Sequence, residues 1–464
     1  MGALAGYASG SVQNSIWNLA MSSEINPHEK DYRAILARLK QKRDSAFPYI
    51  ARDRRFKRLY RKMWQLVSGD VALRDILRYL LLRVWSVTRG CFFSAYNAAF
   101  RAWSGNKEHV KEDSDYIAVM VTGGIGDVVV CARWIRDIGA RWPSIRFHIY
   151  YSNPDAIRFI FSTNLSVEDI LWDRYLRDED SVYSLILVVN QFVHVKSVQQ
   201  KTIGEAVANL INERSIPYER FRVLHPILDG LFADAVTASG YTRETFLHSL
   251  VGIDYGGPIL SLASESIELE PLMLSPKMFI TVHDGWDSSF ALISNRPTKA
   301  YPVEQWNQVI SIIRARRPDV PIVQLGGEKG AALDGVSLNL KGRLTMAQSV
   351  SFLEKSFLHI DTESGLVHLA ASVGTKSIVI FGPTNASFFS YRSNINIVSD
   401  LCHNCWWSTD TWMDLCPVGL DTPACMRAIA PQVVADQALL ELMGMTPNTR
   451  VGTCKDRRDV GRGC

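Results

Sequence analysis

Apolar residues recur at helical spacing from Asp31 to Trp103, with little Gly or Pro to interrupt them. Within that stretch, Val71 to Val87 sets apolar positions against Arg74, Arg78 and Arg83, which recur every four to five residues and share a broad helix face. Arg54-Arg-Phe-Lys-Arg-Leu-Tyr-Arg-Lys62 adds a dense basic run, whereas residues 1–28 show no strong period. The pattern predicts a basic helical N-terminal extension over 1–112. Its amphipathic helix suits either a membrane surface or packing on the main body or a second subunit.

A different regime begins near Tyr116. Short apolar runs, Ile117–Thr122, Arg146–Tyr151 and Leu185–Val189, read as strands, and a helix is predicted from Asp127 to about Arg141. Gly256-Gly-Pro258, a serine-rich stretch and Pro271 mark a linker over 256–277. A second alternating series follows. Strands are predicted at Met278–His283, Pro321–Leu325, Phe357–Ile360 and Ser377–Phe381, and helices at Val303–Arg317, Thr345–Lys355, Gly365–Val373 and Pro431–Met443. Strands alternating with helices imply parallel sheets covered on both faces. The expectation is an α/β chain with two doubly wound, Rossmann-like domains, 113–262 and 263–445, facing a cleft at their carboxyl strand ends. The polar, basic tail over 446–464 is expected to be disordered.

Bulk properties narrow the class. The 464 residues are 47% apolar, enough for more than one core. No run reaches the ~18 uncharged apolar residues of a membrane span, and the N-terminus lacks a secretory layout. These features predict a cytoplasmic chain. Residues 1–112 carry 20 Lys/Arg against 9 Asp/Glu, a net of +11; the whole chain is +4, so the remainder sums to −7. A basic arm on such a body points to an anionic partner, and an anionic membrane face fits better than nucleic acid. Among eight cysteines, Cys91 and Cys131 sit in apolar surroundings and read as core thiols.

The chemistry-bearing motifs fall at strand ends. Thr122-Gly-Gly-Ile-Gly-Asp127 joins a strand to a helix; Gly123, Gly124 and Gly126 allow close backbone approach, and a helix start favours negative charge. Position 129 is Val, so the dinucleotide spacing is incomplete and a nicotinamide oxidoreductase is disfavoured. Asp127 can equally be a helix cap. Lys299-Ala-Tyr-Pro302 precedes a helix, where a lysine can reach a diphosphate or simply be solvated. Asp361-Thr-Glu-Ser-Gly-Leu-Val-His368 opens another helix, with Thr362, Ser364 and Gly365 as a phosphate cradle. Gly382-Pro-Thr384 ends the next strand. His283-Asp-Gly-Trp286 also ends a strand, where either a structural histidine or a donor contact fits. Cys402-x2-Cys405-x10-Cys416-x8-Cys425 suits a structural zinc or iron site, or four reduced thiols in a loop filled by Trp406, Trp407 and Trp412.

The ordered set Gly-Gly-Ile-Gly-Asp127, Lys-Ala-Tyr-Pro302, Gln-Leu-Gly-Gly327, Glu-Ser-Gly-Leu-Val-His-Leu-Ala-Ala371 and Phe-Gly-Pro-Thr384 resembles glycosyltransferase family 9, the ADP-heptose:lipopolysaccharide heptosyltransferase family, over about residues 115–445. The resemblance implies a GT-B fold and an inverting transfer from a nucleotide-diphospho-sugar, the sugar being a heptose in that family. It implies Asp127 as catalytic base, Lys299 against the donor diphosphate, and Ser364, Gly365, His368 and Thr384 around the donor. Glu363 or Asp361 would contact donor hydroxyls, with Glu363 preferred for its spacing to His368. Catalysis in the family needs no cofactor. Tyr301 stands where the family usually has Trp, and the helix after Asp127 lacks the usual proline and carries Arg133 and Trp134. The acceptor is left open among a lipopolysaccharide-type glycan, a lipid-linked glycan and a protein hydroxyl. The rival functions are a nucleotide-sugar epimerase of similar fold and a non-catalytic sugar-nucleotide-binding scaffold.

Overall fold

The computed structural model describes residues 115–176, 183–199, 202–226, 229–285, 297–409, 412–417 and 423–444. The expected helical extension over 1–112, Cys91, Trp286 and the tail over 446–464 lie outside the described residues.

The first half of the described chain runs β1 (Asp115–Val121), α1 (Ile125–Arg141), β2 (Ile145–Tyr151), α2 (Arg158–Phe161), β3 (Val167–Trp172), β4 (Leu185–Val189), β5 (Val193–Val198), α3 (Ile203–Ser215), α4 (Glu219–Leu224), α5 (Asp229–Ala238) and α6 (Phe246–Val251). Its sheet has the order β3-β2-β1-β4-β5, parallel except for the β4–β5 pair. Ile117, Ala118 and Val119 of β1 are all buried, because helices or neighbouring chain cover both faces of a parallel strand. One such cover is α1. Its Val128, Val129, Ala132, Ile135 and Ile138 are sealed from water, each worth roughly 1.5–3 kcal/mol on the scale of a large buried aliphatic side chain and less for the alanine. Pro143 follows the helix and cannot extend it.

The second half runs β6 (Ile280–His283), α7 (Val303–Arg316), β7 (Ile322–Leu325), β8 (Leu338–Asn339), α8 (Met346–Lys355), β9 (Leu358–Thr362), α9 (Gly365–Ser372), β10 (Ser377–Phe381), α10 (Ala386–Phe389), β11 (Ile395–Val398), α11 (Ala424–Ala428) and α12 (Pro431–Met443). All six strands are parallel, in the order β11-β10-β9-β6-β7-β8. Its core joins Ile280, Val282, Ile322, Ile360 and Ile380 of the strands to Trp306, Ile310 and Ile313 of α7 and Val434 and Ala438 of α12. The helix starts are locally specified. Thr345 caps α8 by accepting from Gln348 N while Gln348 answers from its side chain, and Ser364 caps α9 by accepting from Leu366 N.

Both sheets belong to one compact unit, made of the described residues within 116–214, 233–406 and 412–444. The segment 215–232 belongs to a second unit, where Tyr218 packs edge-on against Phe232 beside Phe221. The boundary expected at 262/263 falls in the extended stretch after α6.

In each sheet the strand order reverses once, between β1 and β4 and between β6 and β9. Such switch points leave a crevice beyond the carboxyl ends of the strands. Asp127 follows β1, Asn190 follows β4, and Glu363 follows β9.

Candidate functional site

The glycine-rich loop hands over to α1 through Gly124, which is extended at φ −88° and ψ −177°. Gly123 has φ 134°, a conformation other residues resist, and a Cβ there would fall on the Asp127 carboxylate. Gly124 has open space beside it. Asp127 is held from two sides. Its Oδ2 accepts from Gly124 N at 3.0 Å, so the carboxylate does cap its own helix. Its Oδ1 accepts from Arg243 Nη2 at 2.7 Å.

On the second sheet, Lys299 Nζ lies 3.7 Å from Glu363 Oε2, both side chains mostly buried. The loop bearing Lys299 is fastened to the cysteine-rich segment: Thr298 N donates to Met413 O at 2.8 Å and Thr298 Oγ1 to Trp412 O at 2.7 Å. Tyr301 is buried against Trp306 and donates to Ile429 O at 2.6 Å.

Asp361 is placed differently from Glu363. It is fully buried, and its Oδ1 accepts from His283 Nδ1 at 2.9 Å and Thr362 N at 2.7 Å. Its Oδ2 faces Ser364 Oγ and, at 3.3 Å, His359 Nε2. Burial alone would raise the Asp361 pKa; the charge and hydrogen bond of His283, then those of His359, override it and hold the carboxyl well below the usual range. His283 is itself buried, and Gly326 at φ 128° lets the chain pass close to its ring.

The two glycine-bearing helix starts meet. A Cβ on Gly126 would stand 2.6 Å from His368 Cδ2, and one on Gly365 would stand 3.3 Å from Ile125 Cβ. His368 is fixed by Tyr391, whose hydroxyl lies 2.6 Å from Nδ1. Arg133 Nη1 donates to the same hydroxyl at 2.6 Å, so one hydroxyl joins the guanidinium to the His368 ring, whose Nε2 lies on the Gly126 side. Burial, then the positive charges of Arg133, Arg243 and Lys299, hold the His368 pKa well below its ordinary value, so the ring is neutral. Arg133 reaches further: Nη2 donates to His368 O and Ser372 Oγ, and Nε to Pro258 O.

Three buried polar atoms around these strand ends have no hydrogen-bond partner: Thr362 Oγ1, Thr384 Oγ1 and Arg243 Nη1. Unpaired buried polar atoms are costly in a fold, and a ligand is one thing that can complete them.

Cys402, Cys405, Cys416 and Cys425 take part in no disulfide with a described residue. Burial, then Cys416 and Cys402, push the Cys405 thiol up to about 11; burial, then Cys402 and Cys405, push Cys425 up to about 12. The four are therefore electrostatic neighbours. Among the described residues no group of three or more His, Cys, Asp or Glu side chains stands at metal-holding geometry. Trp406 and Trp412 are buried, Trp406 edge-on to Phe389. No helix among the described residues is long and apolar enough to cross a membrane.

Arg243, Asn190 and Tyr391 carry no motif, and sequence reasoning missed them. Arg243 lies in Thr-Arg-Glu-Thr, 116 positions from Asp127, and only the fold brings the two together.

Residues 288–408 match the family model of glycosyltransferase family 9 (heptosyltransferase). The resemblance carried by the ordered motifs is thus borne out over that segment. A curated relative, lipopolysaccharide heptosyltransferase 1 of Pseudomonas aeruginosa, is 27% identical over 168 residues, covering 33% of this chain and 46% of its own. The chain thus spans about half the length of that relative. Among solved structures, the ADP-heptose lipopolysaccharide heptosyltransferase II of E. coli aligns over 71% of this chain and 99% of its own, at 14% identity and a TM-score of 0.45. The iron-containing dodecameric heptosyltransferase TibC, solved with ADP-D-beta-D-heptose, aligns over 72% and 77%, at 13% identity and a TM-score of 0.49; a second TibC structure is from enterotoxigenic E. coli.

Proposed function

We propose that this chain, which carries a glycosyltransferase family 9 segment over residues 288–408, is a GT-B glycosyltransferase that moves a heptose-type sugar from a nucleotide diphosphate to a hydroxyl acceptor. The observation that carries this reading is the meeting of α1 and α9 at Gly126 and His368, beside Asp127 and at the strand ends that bear the Lys299–Glu363 pair. Two helix starts favour negative charge, and a lysine adds to it, which suits a diphosphate. Asp127, a partly exposed carboxylate side chain, suits a base.

The transfer is a single displacement. Asp127 takes the proton of the acceptor hydroxyl as its oxygen bonds to the anomeric carbon. The bond from that carbon to the phosphate oxygen breaks, and the nucleotide diphosphate leaves with the electron pair. Lys299 and the α9 amides near Gly365 stabilise the charge that gathers on it. Glu363, freed from Lys299, serves donor hydroxyls, whereas Asp361 serves the interior by orienting His283 and His359. Thr384 Oγ1 offers an unused donor to the same ligand. No catalytic cofactor enters this scheme. Cys402, Cys405, Cys416 and Cys425, which lie near one another, would hold a structural zinc or iron by giving up their thiol protons and binding as thiolates. The acceptor is a glycan of lipopolysaccharide type, with an anionic membrane face as the place to meet it.

The test uses the purified full chain. ADP-, GDP- and UDP-sugars are screened by thermal shift, then assayed for transfer. Asp127→Asn should keep donor affinity while turnover falls about 100-fold or more. Lys299→Ala should weaken donor binding about tenfold or more, the scale of one charge-assisted contact. Unchanged turnover in the first variant sinks the assigned base, and unchanged calorimetric affinity in the second sinks the assigned phosphate contact. Release of free sugar without acceptor would mark an epimerase instead.

A further inference from the structure

We propose that Arg243 is a positioning residue for the transfer, aiming the Asp127 carboxylate at the acceptor hydroxyl; this rests on the function proposed above. Arg243 lies in the turn before α6. Its Nη2 donates to Asp127 Oδ1 at 2.7 Å and to Asn190 O, just past β4, at 3.0 Å. Its backbone N donates to Phe388 O at 2.8 Å, on the α10 turn that follows Thr384. The guanidinium is thereby tied to the first sheet's switch point by its head and to the second sheet's strand-end loop by its backbone. That loop is fixed in turn, since Asn385 caps α10 and donates to Asp234 Oδ1 at 2.8 Å.

With Gly124 N on Oδ2 and Arg243 on Oδ1, the carboxylate has one fixed donor on each oxygen. A carboxylate has about four acceptor positions. The two fixed donors stop its rotation and leave acceptor capacity for a hydroxyl proton. Among the described residues, Arg243 is the charged side chain within hydrogen-bond reach of Asp127. Two ionisable groups near it on α1 and α9 carry no charge. Cys131 is buried, with its thiol pushed far up by that burial, and His368 is uncharged.

Stability alone does not account for this arginine. It is 2% exposed, and Nη1 has no partner. Burying a cation with one arm unsatisfied gives little net stability, and an apolar side chain of similar size serves a core as well or better. The arrangement is explained if its role is to hold the carboxylate.

The experiment measures transfer from ADP-heptose to heptose-deficient lipopolysaccharide by the full-length chain and its Arg243→Ala and Arg243→Lys variants. Arg243→Ala should lower kcat about 100-fold, the cost of misplacing a reacting group by about 1 Å, with donor Kd from calorimetry within about threefold. Arg243→Lys, which restores a donor and guards against a simple folding failure, should recover part of the loss. Added guanidinium at sub-denaturing concentration should rescue Arg243→Ala but not the Arg243→Ala/Asp127→Asn pair, a response that a merely structural arginine would not give. Wild-type kcat in Arg243→Ala overturns the proposal, as does a fall in donor affinity that matches the fall in kcat, which would make Arg243 a donor ligand. So does a loss that neither lysine nor guanidinium relieves. If the wild-type chain itself transfers nothing, the proposed function falls and this role with it; if wild type is active and Arg243→Ala matches it, this role alone falls.

Discussion

Replacing Gly126 by alanine tests the meeting of α1 and α9. The new Cβ would sit 2.6 Å from His368 Cδ2 and 3.0 Å from Nε2. Ordinary carbon–carbon contact is about 3.5–4.0 Å, so the overlap approaches 1 Å. Gly126 has no positive φ, so the backbone itself accepts alanine, which gains about 1 kcal/mol in helix propensity. The cost lies in what must move. His368 is 5% exposed and is held at Nδ1 by Tyr391, which is held by Arg133, so the ring has no free direction. Overpacking of this kind costs about 1–3 kcal/mol, so after the helix-propensity gain the net loss should reach up to about 2 kcal/mol. Gly124→Ala is the internal control. Its Cβ meets nothing within 4 Å and its φ of −88° suits alanine, so its stability should stay near wild type while the added methyl blocks the ligand's approach. Thermal unfolding by calorimetry and transfer activity are measured on both. His368→Ala should relieve Gly126→Ala, giving a non-additive double-mutant cycle. If Gly126→Ala unfolds at the wild-type temperature, the two helix starts are not in contact and the shared phosphate cradle is lost. If Gly124→Ala keeps full activity, the open space beside it is not a ligand path.

Two further outcomes follow from buried groups. Asp137 accepts from His248, Arg136 and Gly256 N, and these outweigh the upward push of its burial, so its pKa lies well below the usual range, as does that of Asp361. Both carboxylates stabilise the fold fully above the unfolded value of about 3.9 and lose that contribution as pH falls through their depressed folded values. Asp137→Asn should therefore be less stable than wild type near neutrality and decline less steeply below about pH 4 in a urea series; a parallel decline would remove Asp137 as a source of acid sensitivity. At the cysteine cluster, elemental analysis of the purified protein should find about one zinc or iron per chain, lost in Cys405→Ser. Because Met413 and Trp412 hold the loop of Lys299, donor affinity should fall with the metal. Metal-free protein with wild-type donor affinity would leave four plain thiols.

The strands legible in the sequence are those buried on both faces. β1, β4 and β10 hold near-continuous apolar runs because parallel strands with two covers favour them. β3 was missed because Glu168 and Asp169 are exposed and break the run, and β5 because it closes the sheet as an antiparallel edge with Lys196 and Val198 facing outward. Local motifs marked Asp127, Lys299 and the α9 start, since a strand end, a glycine and a helix cap lie within a few residues of one another. Arg243 and Tyr391 had no such marks: their roles come from tertiary contacts across 116 and 23 positions.

The choice between Asp361 and Glu363 shows how far local pattern can be pressed. Side chains along a strand alternate faces, so Asp361 shares a face with His359. In the sheet that face meets Thr281 and His283 of β6, and the four form a buried polar ladder: Thr281 to His359, His359 to Asp361, Asp361 to His283. A carboxylate inside such a ladder is already fully engaged and sealed from solvent, and turning it toward a ligand would strand two histidines. Glu363 has the same parity but falls one residue beyond the end of β9, where the chain leaves the sheet to start α9, and its carboxylate reaches Lys299 instead. The strand's end decides between two acids two positions apart. Asp361 therefore governs how rigidly β6 and β9 flank the switch point, while Glu363 stands outside the ladder, within 3.7 Å of Lys299.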